Sequence, residues 1–135
     1  LQLSRLEEFL QRLEACKKEK LNETTRSALE RLLQVAIEET LNVGNHVISG
    51  LGLKRADTYR EIFQVLAEAK IISAALSVQL QDFATFRNRL VHLYWKISDD
   101  EFKAQLEKVS LLSAFAKIIS KYAKRSSPKN YSKPN

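Results

Sequence analysis

An all-helical domain, folded as an up-and-down four-helix bundle with one additional short helix, is the architecture this sequence predicts. Three observations carry that expectation. Both prolines, Pro128 and Pro134, lie at the C-terminal end, and all three glycines fall between Gly44 and Gly52, so the body is nearly free of helix breakers. Apolar residues recur at helical spacing in four long stretches. Polar caps stand where those stretches begin.

The first stretch places Leu3, Leu6, Leu10 and Leu13 on one stripe, with Phe9 on its flank. Lys17, Lys18 and Lys20 suit the negative end of the helix dipole. Residues Asn22 to Thr25 form the turn, with a threonine expected as N-cap. The second helix carries Leu29, Leu32, Leu33, Ala36, Ile37, Thr40, Gly44 and Val47 on its apolar face. A glycine in that stripe predicts close approach of a neighbouring element. Glu38, Asn42, Asn45 and His46 gather on the opposite side, either as a solvated face or, for Glu38, Asn45 and His46, as a second functional surface.

Gly50-Leu51-Gly52 ends the second helix, and Leu53 to Asp57 connect it to a short third. Thr58 and Glu61 fit a capping box opening that helix, which presents Ile62, Phe63 and Leu66 and finishes near Lys70. Ser73 is the expected cap of a long helix running through Trp95. Ser98 to Glu101 form another capping box, followed by a last helix with Phe102, Leu106, Val109, Leu112, Phe115, Ala116 and Ile119 on its apolar face. From Ser126 onward the Ser/Pro/Lys/Asn composition predicts a disordered basic tail, 126–135, behind a single domain, 1–125.

Composition narrows the function classes. At 135 residues, 44% hydrophobic and 28% charged, the chain fits one soluble globular domain. Its apolar runs fall short of a membrane span, and a trimmed native start is expected because it begins at Leu1 and contains no Met. A lone cysteine, Cys16, excludes an intrachain disulfide and points to a reducing, cytoplasmic setting. Two histidines and one cysteine cannot supply a usual zinc site, so neither metal nor cofactor is expected. Of the net charge of +6, five bases (Lys121, Lys124, Arg125, Lys129, Lys133) follow Ser120, leaving 17 of 22 basic residues against 16 acids in the body. That tail suits phosphate neutralisation, and equally plain solubility.

The chemistry concentrates in Phe86–Trp95. Leu76, Leu80, Phe83, Leu90 and Val91 mark one stripe, and Arg87 falls near its middle, as does Tyr94 two turns on. A guanidinium does not lose its proton, so a buried one needs an anion or water. Asn88 and His92, four residues apart, stack on the adjoining face. The cluster is open to two readings. Arg87 could pair with a core acid such as Glu38, with His92 a hydrogen-bonded structural residue. The alternative is a site for an anion whose reaction needs a proton moved near neutral pH.

The order Arg87-Asn88-x-x-x-His92-x-Tyr94 resembles the R-x-x-x-x-H-x-Y signature of HepT-like proteins in the HEPN superfamily. Ile37-Glu38, Asn45-His46, Thr58-Tyr59-Arg60-Glu61 and Phe63, Leu66, Ala67 and Glu68 are similar to that family's second and third helices, so the likeness runs from about Leu29 to Phe102. Leu93 and Trp95 depart from it by flanking the tyrosine with bulky apolar groups. The resemblance implies a metal-independent endoribonuclease toxin, a homodimer, held in check by a minimal nucleotidyltransferase antitoxin that adds AMP to the motif tyrosine, Tyr94. It also implies catalytic roles for Arg87, Asn88 and His92 and an RNA substrate. A different class stays open: a non-catalytic helical partner of a nucleotidyltransferase that binds nucleotide or substrate through the same surface. A plain dimerisation module is the third.

Overall fold

The computed structural model describes the backbone of residues 2–132 and the side chains of residues 3–122. Six α-helices and one 3-10 turn follow in order: α1 (Gln2–Cys16), α2 (Glu23–Gly50), α3 (Tyr59–Glu68), α4 (Ala74–His92), the turn Tyr94–Lys96, α5 (Asp99–Glu107) and α6 (Val109–Ser132). No strand occurs among the described residues. Helices α1, α2, α4 and α6 are the four long members of the bundle. α2 packs on α1, α3 and α4, while α6 closes the bundle against α1 and α4.

Phe63, Phe83, Phe102 and Phe115 are fully buried at its centre, with Phe63 and Phe115 meeting edge to face at 5.7 Å between ring centroids. The expected close approach at Gly44 is present. A Cβ added there would stand 2.7 Å from Ile62 Cγ2 and 3.5 Å from Leu66 Cδ1. Gly44 is thus what lets α3 lie directly on α2. Gly44→Ala should lower the denaturant midpoint with the m-value unchanged. Overpacking costs about 1–3 kcal/mol, and the better helix propensity of alanine offsets no more than about 1 kcal/mol of it. An unchanged midpoint would show that Ile62 moves aside freely.

A buried polar chain locks α3 to α4. Ser77 Oγ donates to the Phe63 carbonyl (2.9 Å) and accepts from Gln81 Nε2 (3.0 Å). Gln81 Oε1 accepts from Gln64 (3.1 Å) and from Arg60 Nη2 (3.2 Å), and Arg60 Nη1 donates to Thr85 Oγ1 (2.7 Å). Ser77 and Gln81 are buried, so leaving either unpaired would carry a desolvation cost. This chain fixes the start of α3 beside the middle of α4.

Several local expectations need correction. The N-cap of α2 is Asn22, not a threonine; Thr25 sits at the third position, and the two side chains cap each other's backbone N–H at 2.9 and 2.8 Å. The shorter amide places its oxygen on the Thr25 N–H while the hydroxyl reaches back. Thr58 does cap α3, but Glu61 reaches past it to the Asp57 N–H at 2.7 Å. The expected last helix is two helices. It breaks at Lys108, where Lys108 N–H bonds the Gln105 carbonyl and Leu111 N–H the Lys108 carbonyl, tightening the chain for one turn without disturbing its apolar spacing. α6 runs to Ser132, and the side chains of the expected tail, 126–135, lie outside the described residues.

α4 also stops earlier than the sequence suggests. It ends at His92, with Leu93 as C-cap (φ −139°, ψ 33°), and Tyr94–Lys96 form the 3-10 turn. The turn exists because Ile97, 3% exposed, must return to the core. Arg26 secures it from α2, donating to the Ile97 carbonyl (2.6 Å), Asp99 (2.5 Å) and Glu30 (2.7 Å) with its guanidinium over the Phe102 ring. Burial works against the Arg26 charge, but the bonds to Glu30 and Asp99 outweigh it and raise its pKa.

Candidate functional site

Arg87 lies on α4 facing α2, and Glu38 on α2 meets it. Arg87 Nε donates to Glu38 Oε2 at 3.0 Å, and Nη2 stands 2.9 Å from the same oxygen. Their side chains are 19% and 31% exposed, a half-buried pair at the edge of the bundle. Gln34, one turn before Glu38, donates to the same carboxylate oxygen at 3.1 Å. The guanidinium carbon lies 5.3 Å from the Tyr59 ring centroid, so the first residue of α3 forms a floor beneath it. Arg87 Nη1 donates to Asn88 Oδ1 at 3.3 Å. These contacts take at most three of the five guanidinium N–H groups. The side chain is therefore held from three sides and retains donors on its terminal nitrogens.

Asn88 and His92 occupy the exposed face of α4, and His92 has no hydrogen-bond or ion-pair partner among the described residues. Its imidazole is open to solvent. Arg89, one turn before Leu93, pairs bidentately with Glu101 at 3.1 and 3.3 Å, tying the end of α4 to the cap of α5. The Arg89 hydrogen bond and the Ser98 backbone N–H together hold the Glu101 carboxyl below its ordinary pKa. A depressed carboxyl contributes stability that is complete above its unfolded pKa and lost as pH falls through the folded one. The amides of Asp99–Glu107 should therefore lose protection below the ordinary carboxylate range of about 4, and Glu101→Gln should remove that acid step, as hydrogen exchange would show.

Tyr94 does not share the Arg87 stripe, because the helix ends before it. It is 53% exposed on the 3-10 turn and packs edge to face with Trp95 at 5.5 Å; Trp95 is 65% exposed. Of the second surface expected at Glu38, Asn45 and His46, Glu38 belongs instead to Arg87. Asn45 and His46 line a separate cleft of about 630 Å³ with Asn42 and Arg55. A neighbouring cleft of about 560 Å³ runs between Asn45, Tyr59 and Asn88. Sequence reasoning passed over Tyr59 as a site residue. Its signal was an aromatic at the first position of a capped helix, outside the apolar stripe of Ile62, Phe63 and Leu66. No three His, Cys, Asp or Glu residues among those described come close enough to hold a metal ion, and no described helix is long and apolar enough to cross a membrane.

Comparison with known proteins adds to this geometry. A family model described as Ribonuclease HepT-like matches residues 1–121. A curated tRNA nuclease HepT from Aphanizomenon flos-aquae (strain 2012/KM1/D3) is 32% identical over 72 residues, 53% of this chain and 49% of that protein. The chain thus spans about half the length of that curated relative. Among solved structures, the tri-AMPylated Shewanella oneidensis HEPN toxin in complex with MNT antitoxin superposes with a TM-score of 0.79 at 20% identity, covering 88% of this chain and 93% of that one. YutE, a cytosolic protein of unknown function from Bacillus subtilis, gives 0.76 at 21% identity over 93% and 90%. These likenesses show that the all-helical bundle is the fold of HEPN toxins.

Proposed function

The chain belongs to the ribonuclease HepT-like family, and on that premise we propose that it is a metal-independent endoribonuclease toxin acting in the cytoplasm. The observation that carries the proposal is one helix end that presents an unpaired imidazole, an amide and a guanidinium fixed in place but not saturated. Cleavage of RNA without metal requires a base for the 2′-hydroxyl proton. An imidazole suits that task near neutral pH, and His92 supplies one. The departing 5′-oxygen requires a proton, which the same kind of group supplies. Negative charge gathers on the non-bridging phosphate oxygens, and the remaining N–H groups of Arg87 are suited to receive it. Asn88 orients Arg87, and Glu38 and Tyr59 keep the guanidinium from swinging away.

A homodimer fits this chemistry, since one α4 offers one imidazole and a twofold axis beside it would join two sets in a cleft. The naming of the curated relative as a tRNA nuclease and the AMPylated, antitoxin-bound state of the S. oneidensis toxin support the same reading, with a minimal nucleotidyltransferase as partner. One observation favours the alternative, a non-catalytic nucleotide- or substrate-binding partner: Glu38 already balances the charge of Arg87. Incubating the isolated protein with RNA in EDTA discriminates between them. Cleavage is expected, together with a dimer by sedimentation at micromolar concentration. Binding without cleavage would establish the alternative, and a monomer would remove the shared cleft.

A further inference from the structure

We infer that the paired clefts beside Arg87 form a binding track for single-stranded RNA, carrying the strand away from the Arg87–His92 site across the α2–α3 junction. The inference rests on the ribonuclease reading and adds a place for the nucleotides that flank the scissile phosphate. The two clefts share Asn45 and Ala56 in their walls, so they adjoin. The inner one begins at Asn88 and Tyr59, which touch Arg87, and the outer one ends at His46 and Arg55. At about 560 and 630 Å³ each has the size of a small-ligand pocket, within the range of roughly 300–1,000 Å³, and suits about one nucleotide.

Their chemistry matches a nucleic-acid strand in sequence along the track. Arg87 covers Tyr59 from one side, and the ring is still 45% exposed, which leaves surface for a base to stack. Asn45 and Asn42 follow, amides that offer a donor and an acceptor to a base edge. Arg55 then provides a cation for phosphate at the far end. Asn42, Asn45, His46 and Arg55 have no hydrogen-bond or ion-pair partner among the described residues, whereas Arg60 in the same wall is spent on Thr85 and Gln81. The one carboxylate in the lining is Asp57, in the inner cleft, where it can accept from an exocyclic amine but repels phosphate. That arrangement directs phosphates outward, toward Arg55 and Arg87, and bases inward.

The test uses the full chain and RNA oligonucleotides of two lengths, one extending several nucleotides on either side of the cleavage position and one trimmed to the scissile dinucleotide. Arg55→Ala and Asn45→Ala remove no hydrogen bond or ion pair among the described residues, so the fold should persist. Each is expected to raise KM for the long RNA by about tenfold, the effect of losing one phosphate or base contact, with kcat unchanged and the dinucleotide unaffected. Equal effects on both lengths, or none on the long RNA, would overturn the track. If the parent protein cleaves nothing, the ribonuclease reading fails separately, and the track is then decided by fluorescence anisotropy of labelled long RNA. Weaker binding by both variants would uphold it, and parental binding by either would overturn it.

Discussion

His92→Ala should reduce EDTA-insensitive RNA cleavage by about 10²–10⁴-fold, the usual effect of removing one proton-transfer group, while the denaturant midpoint stays within about 0.5 kcal/mol of the parent. The second half of that expectation follows from its setting. His92 is exposed and has no hydrogen-bond or ion-pair partner among the described residues, so truncating it should cost the fold little. Arg87→Ala should lose cleavage to a similar degree, but it will also leave the half-buried Glu38 carboxylate without its cation. A fall in stability is therefore expected for Arg87→Ala and not for His92→Ala. Arg87→Lys keeps the charge and loses the forked donors, so it should recover stability better than activity. Asn88→Ala should be milder, because Asn88 orients Arg87 and Glu38 still holds it. Cleavage at the parental rate by the His92 or the Arg87 variant would withdraw the role assigned to that residue.

Most helix caps were legible from sequence, as were two long-range features, the close approach at Gly44 and the pairing of Arg87 with Glu38, whereas the cap at Asn22 and most other contacts between helices were not. Thr58, Ser73 and Ser98 cap their helices as expected because a cap acts over three residues. Gly44 could be read because glycine inside a helix costs about 1 kcal/mol against alanine. On an apolar stripe, close packing of a neighbouring element is what offsets that cost. The pairing of Arg87 with Glu38 spans 49 positions, yet it could be named, because a guanidinium in an apolar stripe needs an anion and Glu38 was at hand. The polar chain through Ser77 and Gln81 was missed because its partners on α3 are a backbone carbonyl and uncharged or distant side chains that no spacing marks. Two boundaries were misplaced by extending a regular pattern. At Lys108 and Leu93 no proline or glycine marks the break, and the stripe on either side stays in phase. At Leu93 the deciding force is tertiary, the need to bring Ile97 into the core and Asp99 to Arg26. That error matters for function, because it moves Tyr94 off the helix.

On the proposed reading, Tyr94→Phe is expected to leave cleavage intact and abolish inhibition by a partner nucleotidyltransferase. The 3-10 turn gives the reason. Tyr94 is 53% exposed, its hydroxyl has no hydrogen-bond partner among the described residues, and its ring rests on Trp95. Phenylalanine keeps that ring contact and removes only the oxygen. In the proposed reaction the phenolic oxygen attacks the α-phosphorus of ATP, the bond to the β-phosphate oxygen breaks, pyrophosphate leaves and the phenolic proton is released. The product carries an adenylate and a phosphodiester anion two positions past His92. Its bulk would block the approach of RNA, and its charge would repel the incoming phosphates or draw the free donors of Arg87. Because the turn is anchored by Arg26 and by the Arg89–Glu101 pair, the modified side chain would stay near the site instead of swinging into solvent. The measurement is to incubate parent and Phe variant with the nucleotidyltransferase and ATP, map the added mass, and assay cleavage of each. The parent should gain AMP on Tyr94 and lose activity. Silencing of the Phe variant through modification elsewhere would show that another side chain is the switch.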